Sequence, residues 1–154
     1  MRTAAVFLLA ASAFAQTPVP NPELAAFVAT DWKRVDHVRD LPKGLKVSTV
    51  LSRMADPGER FTVGCEPERR FRFFGPELPR KRLIFGGKTS DRVFVYYEHG
   101  GLVLGSSVSI FMIDRNGRYN QIADLLAPRK VTSIEALKQA CREGQLSPMG
   151  RSPR

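Results

Sequence analysis

Apolar residues at Leu24, Phe27, Val28, Trp32, Val35 and Val38 recur every three or four positions, the spacing of one buried stripe along an α-helix. Asn21 stands where a capping side chain accepts from exposed helical N–H groups. Pro22 follows at the first helical position, where its missing N–H costs nothing. Leu41-Pro42 closes the segment, because the proline ring pushes the preceding residue out of helical geometry. The pattern predicts a helix from residue 22 toward residue 41. Such a helix is marginal alone in water and must dock on other structure.

Beyond Leu45 the period shortens to two. Segments 47–51, 60–65, 71–74, 83–85, 92–98, 102–104, 107–113 and 118–122 read as strand candidates, with 92–98 the richest in valine, phenylalanine and tyrosine. Turns fall at Asp56-Pro57-Gly58, at His99-Gly100-Gly101 and at Asp114-Arg115-Asn116-Gly117. The last carries the Asn-Gly dipeptide that best tolerates a tight hairpin. Thr132-Ser133-Ile134-Glu135 has capping-box spacing and opens a final helix with Ile134, Leu137, Ala140 and Cys141 inward and Gly144 at its end. The expected fold is α+β: an N-terminal helix, an antiparallel β-meander of about five to seven strands, and a C-terminal helix packed on the sheet. Residues 22–146 form that domain, 16–21 an extended leader and 147–154 a flexible basic tail.

Residues 1–15 follow a different grammar. Arg2 precedes an apolar run over 4–14, and Ala13-Phe14-Ala15 supplies small residues before Gln16. This is the pattern of a signal peptide cut after Ala15. The run falls short of the roughly 20 residues a spanning helix needs, so no transmembrane segment is expected after processing. Export makes the protein periplasmic or secreted. In an oxidising compartment Cys65 and Cys141 are expected to form a disulfide, worth roughly 4–5 kcal/mol in the chain-entropy model.

Charge then narrows the choice of partner. The 154-residue chain carries a net charge of +9. Its cations concentrate at Arg69, Arg70, Arg72, Arg80, Lys81 and Arg82, followed by Lys88 and Arg92, against Glu77 and Asp91. These residues are the predicted anion-binding face. For an exported protein the matching partners are an anionic polysaccharide, an anionic lipid surface or the acidic face of an envelope protein. Nucleic acid is disfavoured by the compartment and by the lack of glycine-aromatic spacing typical of an RNA-recognition strand. Charges on strands also protect sheet edges from pairing, which is their simplest use.

Chemistry has few footholds. The two histidines are His37, off the apolar stripe, and His99, before a double glycine. A Ser/His hydrolase would use His99 as base and Ser107 as nucleophile, with Ser106 and Ser109 nearby and Asp91 or Asp114 as third member. No Gly-x-Ser-x-Gly elbow supports it. Neither His-x-x-x-His nor Cys-x-x-Cys occurs, Asp114-x-Asn116-Gly117 lacks the remaining calcium ligands, and Gly86-Gly87-Lys88-Thr89 lacks the first half of a phosphate loop. No metal and no cofactor are therefore expected. The leading expectation is a small, exported, non-catalytic domain that binds an anionic envelope component or partner protein through its basic face. The alternatives are the hydrolase and a secreted inhibitor or assembly partner making contact through an apolar patch.

Overall fold

A computed structural model describes residues 21–47, 53–63, 78–100 and 104–149, with side chains omitted at 46 and 47. The order is α1 (Pro22–Ala29), β1 (Lys33–Val35), two 3₁₀ segments (Val38–Asp40 and Lys43–Val47), β2 (Met54–Ala55), β3 (Lys81–Lys88), β4 (Arg92–His99), β5 (Gly105–Ile113), β6 (Tyr119–Leu126), α2 (Ile134–Arg142) and β7 (Ser147–Pro148). One seven-stranded sheet runs β1-β3-β4-β5-β6-β7, and β2 shares the outer edge of β3 with β1. All pairings are antiparallel except β2 with β3. The architecture is α+β. No described helix is long and apolar enough to cross a membrane.

The first helix is shorter than its stripe predicts. Asn21 caps it through Oδ1, which accepts from the Glu23 N–H at 3.0 Å, and Pro22 is its first residue. It stops at Ala29, where Thr30 is extended and returns its hydroxyl to the Ala26 carbonyl at 2.7 Å. Trp32 then folds back and donates Nε1–H to the Phe27 carbonyl at 2.9 Å. The downstream part of the stripe is thus strand and 3₁₀ turn. The spacing misled because Trp32 and Val35 are buried on opposite faces of the sheet.

On the face covered by both helices, Phe27, Trp32 and Phe85 meet Phe94 edge to face, Tyr96 tilts against Phe85, and Val108, Ile110 and Leu137 complete the cluster. The opposite face packs Val93, Val95, Tyr97, Leu83 and Phe111 beneath Leu41, which joins the two 3₁₀ segments, and Leu45 of the second. A bulge between Leu83 and Phe85 turns both Ile84 and Phe85 toward the helical side, which keeps Leu83 and Gly86 on the other.

Several local signals act as expected. In the β5–β6 hairpin, Asp114 Oδ1 accepts from the Asn116 and Arg118 N–H groups, and Gly117 takes a φ of 75°. Ser133 caps α2 by accepting from the Ala136 N–H at 3.1 Å, and Gly144 takes a φ of 69° beyond its end. Other expectations change. Residues 61–63 form no strand, and residues 43–47 form a 3₁₀ segment where a strand was expected to begin. The strand candidate at 71–74 lies outside the described residues, as do residues 1–20. Ser147–Pro148, expected in a flexible tail, pair with Leu125 and Leu126, and the Met149 N–H donates to the Asp124 carbonyl at 3.0 Å.

Candidate functional site: a polar row at one end of the sheet

The face under the 3₁₀ segments is apolar over most of its area and polar at one end. Strand alternation builds that end. Register sets Lys81 opposite His99, Tyr97 opposite Ser107 and Ser109 opposite Asp124, all directed to this face, with Gly105 opposite His99. Ser107 and Ser109 are wholly buried and Tyr97 nearly so. The serines therefore do not face water.

Half of the row is hydrogen-bonded. Ser109 Oγ donates to Asp124 Oδ1 at 2.9 Å, stands 3.4 Å from the Tyr97 hydroxyl, and accepts weakly from Gln121 Nε2 at 3.4 Å. Burial raises the Tyr97 phenol above its ordinary pKa, with the Ser109 hydroxyl opposing the shift. The other half is unmet. His99 Nε2 and Ser107 Oγ, like Ser106 Oγ on the helical side, are buried and have no well-formed hydrogen bond among the described residues, although the Ser107 hydroxyl lies near enough to the Tyr97 phenol to oppose the rise in its pKa. Each such atom costs about 1–3 kcal/mol.

Lys81 lies at the mouth of the row, its Nζ 5.5 Å from the centroid of the Tyr97 ring. Burial lowers its pKa, and Asp124 opposes that shift. His99 is lowered chiefly by burial, then by Lys81, with Asp124 opposing and Arg129 adding to the fall. The imidazole is thereby held neutral at physiological pH. Its ring packs across Gly105, where a side chain would collide with it.

The basic triplet at the start of β3 divides between faces. Lys81 joins the polar row, whereas Arg82 turns the other way. There its Nε and Nη2 donate to Glu98 Oε2 at 3.1 and 2.5 Å, and its guanidinium lies 4.5 Å from the Phe61 centroid. Arg80 immediately precedes the strand and contributes its carbonyl to the Gly100 N–H. Arg69, Arg70 and Arg72 lie outside the described residues.

The structure brings His99 and Ser107 onto one face but joins them by no hydrogen bond, and sends Ser106 to the helical side. Asp114 and Asp91, proposed as a third member, sit in hairpin turns. The carboxylate near His99 is Asp124, which the sequence reading missed. Alternation along β6 could not reveal it, because the pairing with β5 shifts register at Ile122–Ala123, which sets Gln121 and Asp124, three residues apart, on one face. His37 is exposed, with Nδ1 4.0 Å from Asp56 Oδ1. Cys141 is half-buried on α2, and burial raises its thiol pKa against the opposing charge of Arg142. Its expected partner Cys65 lies outside the described residues. Among those described, no three His, Cys, Asp or Glu side chains gather as a metal site would require.

No protein-family model, curated protein or solved structure matches this chain.

Proposed function

We propose that the protein is a small exported, non-catalytic binding domain that takes an anionic envelope component, with contact centred on Lys81. One observation carries this reading. The Lys81 ammonium, the neutral imidazole of His99 and the Ser107 hydroxyl share one end of a sheet face, and the latter two have unmet hydrogen-bonding capacity. A neutral imidazole with its proton on Nε2 donates there, as a serine hydroxyl does. An anionic oxygen held by Lys81 would gain charge-assisted bonds and, once the row opens enough to admit it, satisfy both groups.

The test is binding to an acidic polysaccharide across a salt series, with Lys81→Glu and Ser107→Ala as variants. Binding should fall steeply with salt and be lost in Lys81→Glu. Reversal of Arg70, Arg72 and Arg82 measures what the remainder of the basic face adds. Salt-insensitive binding, or none, sinks the proposal.

A second reading rests on the same two unmet atoms: His99 as base for Ser107 in a hydrolase. It requires covalent labelling of Ser107 by a fluorophosphonate, abolished in His99→Gln. An unlabelled protein removes this reading.

A further inference from the structure

The edge of the sheet holds a charge arrangement that folding alone disfavours. Lys33 of β1 and Lys88 of β3 are direct cross-strand partners, and like charges placed directly opposite destabilise a sheet. Lys88 is oriented by donating from Nζ to the Asp40 carbonyl at 3.0 Å. Two hollows of 420 and 370 Å³ meet at this pair, and both lysines line both of them. Among the neighbouring acids, Asp36 is taken by Arg34 at 2.7 Å. Asp31 lines only the outer hollow, while Asp40 and His37 line the inner one.

The pair also shares a face with the polar row. Val35 and Val93 place Lys33 and Lys88 on the side of the 3₁₀ segments, where Lys81 also points. Lys81 and Lys88 are the first and last residues of β3, which at about 3.3 Å per residue separates them by roughly 23 Å. Between them rises the ridge carrying Leu41 and Leu45 inward and Lys43 outward, exposed.

We infer that Lys33 and Lys88 form a second cationic contact for the ligand of the Lys81 end, and that this ligand is a linear acidic polysaccharide lying along the face between them. The inference rests on the Lys81 reading and adds the class of ligand to it. A flexible polyanion can follow the ridge and reach both ends. A flat bilayer would meet the ridge and its exposed Lys43 first.

The experiment uses the whole protein, sulfated glycosaminoglycan fragments graded in length, and phosphatidylglycerol vesicles, at one fixed ionic strength. Fragments longer than about 23 Å should bind on the order of tenfold or more tighter than shorter ones, because the second contact becomes intramolecular. Lys33→Glu should abolish that length-dependent gain, while short fragments should still bind at the Lys81 end. The same variant should raise the thermal unfolding midpoint, since it replaces a like-charged cross-strand pair with an opposite one. A merely structural role for Lys33 would not move length dependence and stability in opposite directions. Persistence of the length dependence in Lys33→Glu overturns the inference. So does vesicle binding that needs both Lys33 and Lys81, because the surface would then be a membrane contact. Failure of wild-type protein to bind even short fragments instead overturns the Lys81 reading.

Discussion

The imidazole of His99 lies flat across Gly105, its cross-strand partner, so closely that a β-carbon at 105 would stand 2.6 Å from Cε1 and 2.7 Å from Nε2. Gly105 is thus the floor on which His99 rests, and the ring is held where burial and Lys81 keep it neutral. Gly105→Ala should leave the sheet intact, because the colliding atoms belong to the far end of a side chain that can rotate. His99 would swing outward, and its pKa should rise toward the ordinary histidine value. Histidine ring titration by NMR reads this directly. An unchanged His99 pKa in the variant would mean that packing on Gly105 does not set its environment.

The depressed pKa of His99 also fixes the sign of a pH effect. Below the ordinary value of 6.5 the unfolded chain binds a proton that the folded chain still resists. Stability therefore rises with pH through the window between the folded and unfolded pKa values, and falls as pH drops through it. Urea midpoints should decline between pH 7 and pH 5 in the wild type, and His99→Gln should flatten that decline. A slope unaltered by the substitution would assign it to other groups.

The helical side of the sheet offers a sharper stability test. Gly87 lies beneath the wholly buried Phe94, and a β-carbon at 87 would overlap its ring. Phe94 is itself wedged among Phe27, Trp32 and Phe85, so it has little room to retreat. Gly87→Ala should cost roughly 1–3 kcal/mol by overpacking, measured by chemical denaturation. A neutral result would show that the aromatic cluster yields more readily than its packing implies.

These residues also show what a sequence makes legible. The Asp114–Gly117 turn, the Ser133 cap and Gly144 were readable because each is a local bargain between a side chain and its own backbone. Strand β4 was readable from its valine and aromatic density. The length of α1 was not, because spacings of three and four fit a helix and also a short helix followed by a strand whose residues alternate between two cores. The polar row was half visible. His99 and Ser107 could be named, but their shared face depends on the β4–β5 register, and Asp124 enters through β6. Lys33 and Lys88 lie too far apart in the chain for any local pattern to pair them. Adjacency even misled at Arg80-Lys81-Arg82, where strand geometry sends consecutive side chains to opposite faces.

Within that triplet, Arg82 pairs with Glu98. Its two hydrogen bonds to Glu98 Oε2 join side chains that are only partly exposed, at 31% and 22%. Glu98→Gln should cost little stability, about 0–1 kcal/mol given that exposure. It should release Arg82 from charge pairing yet leave acidic-polysaccharide affinity unchanged, because Arg82 faces away from the Lys81 side. Affinity measured by titration calorimetry at low salt checks this. Tighter binding would place Arg82 in the ligand contact after all, whereas unchanged binding leaves it serving the fold, its guanidinium over Phe61 and Nη1 donating to the Glu59 carbonyl.

Asp124 provides the test that separates electrostatics from packing at the polar row. Its carboxylate accepts from Ser109 and opposes the fall in pKa of both Lys81 and His99. Asp124→Asn keeps an oxygen that can accept from Ser109 but removes the charge. Both neighbouring pKa values should then fall further, His99 observably so by NMR. An anion bound beside Lys81, as proposed, would meanwhile lose a repulsive neighbour, so acidic polysaccharide should bind more tightly despite any loss of stability. A variant that merely loosened the sheet would weaken binding and let His99 drift back toward its ordinary pKa. The opposite movement of both quantities is what a cationic site with a built-in carboxylate requires.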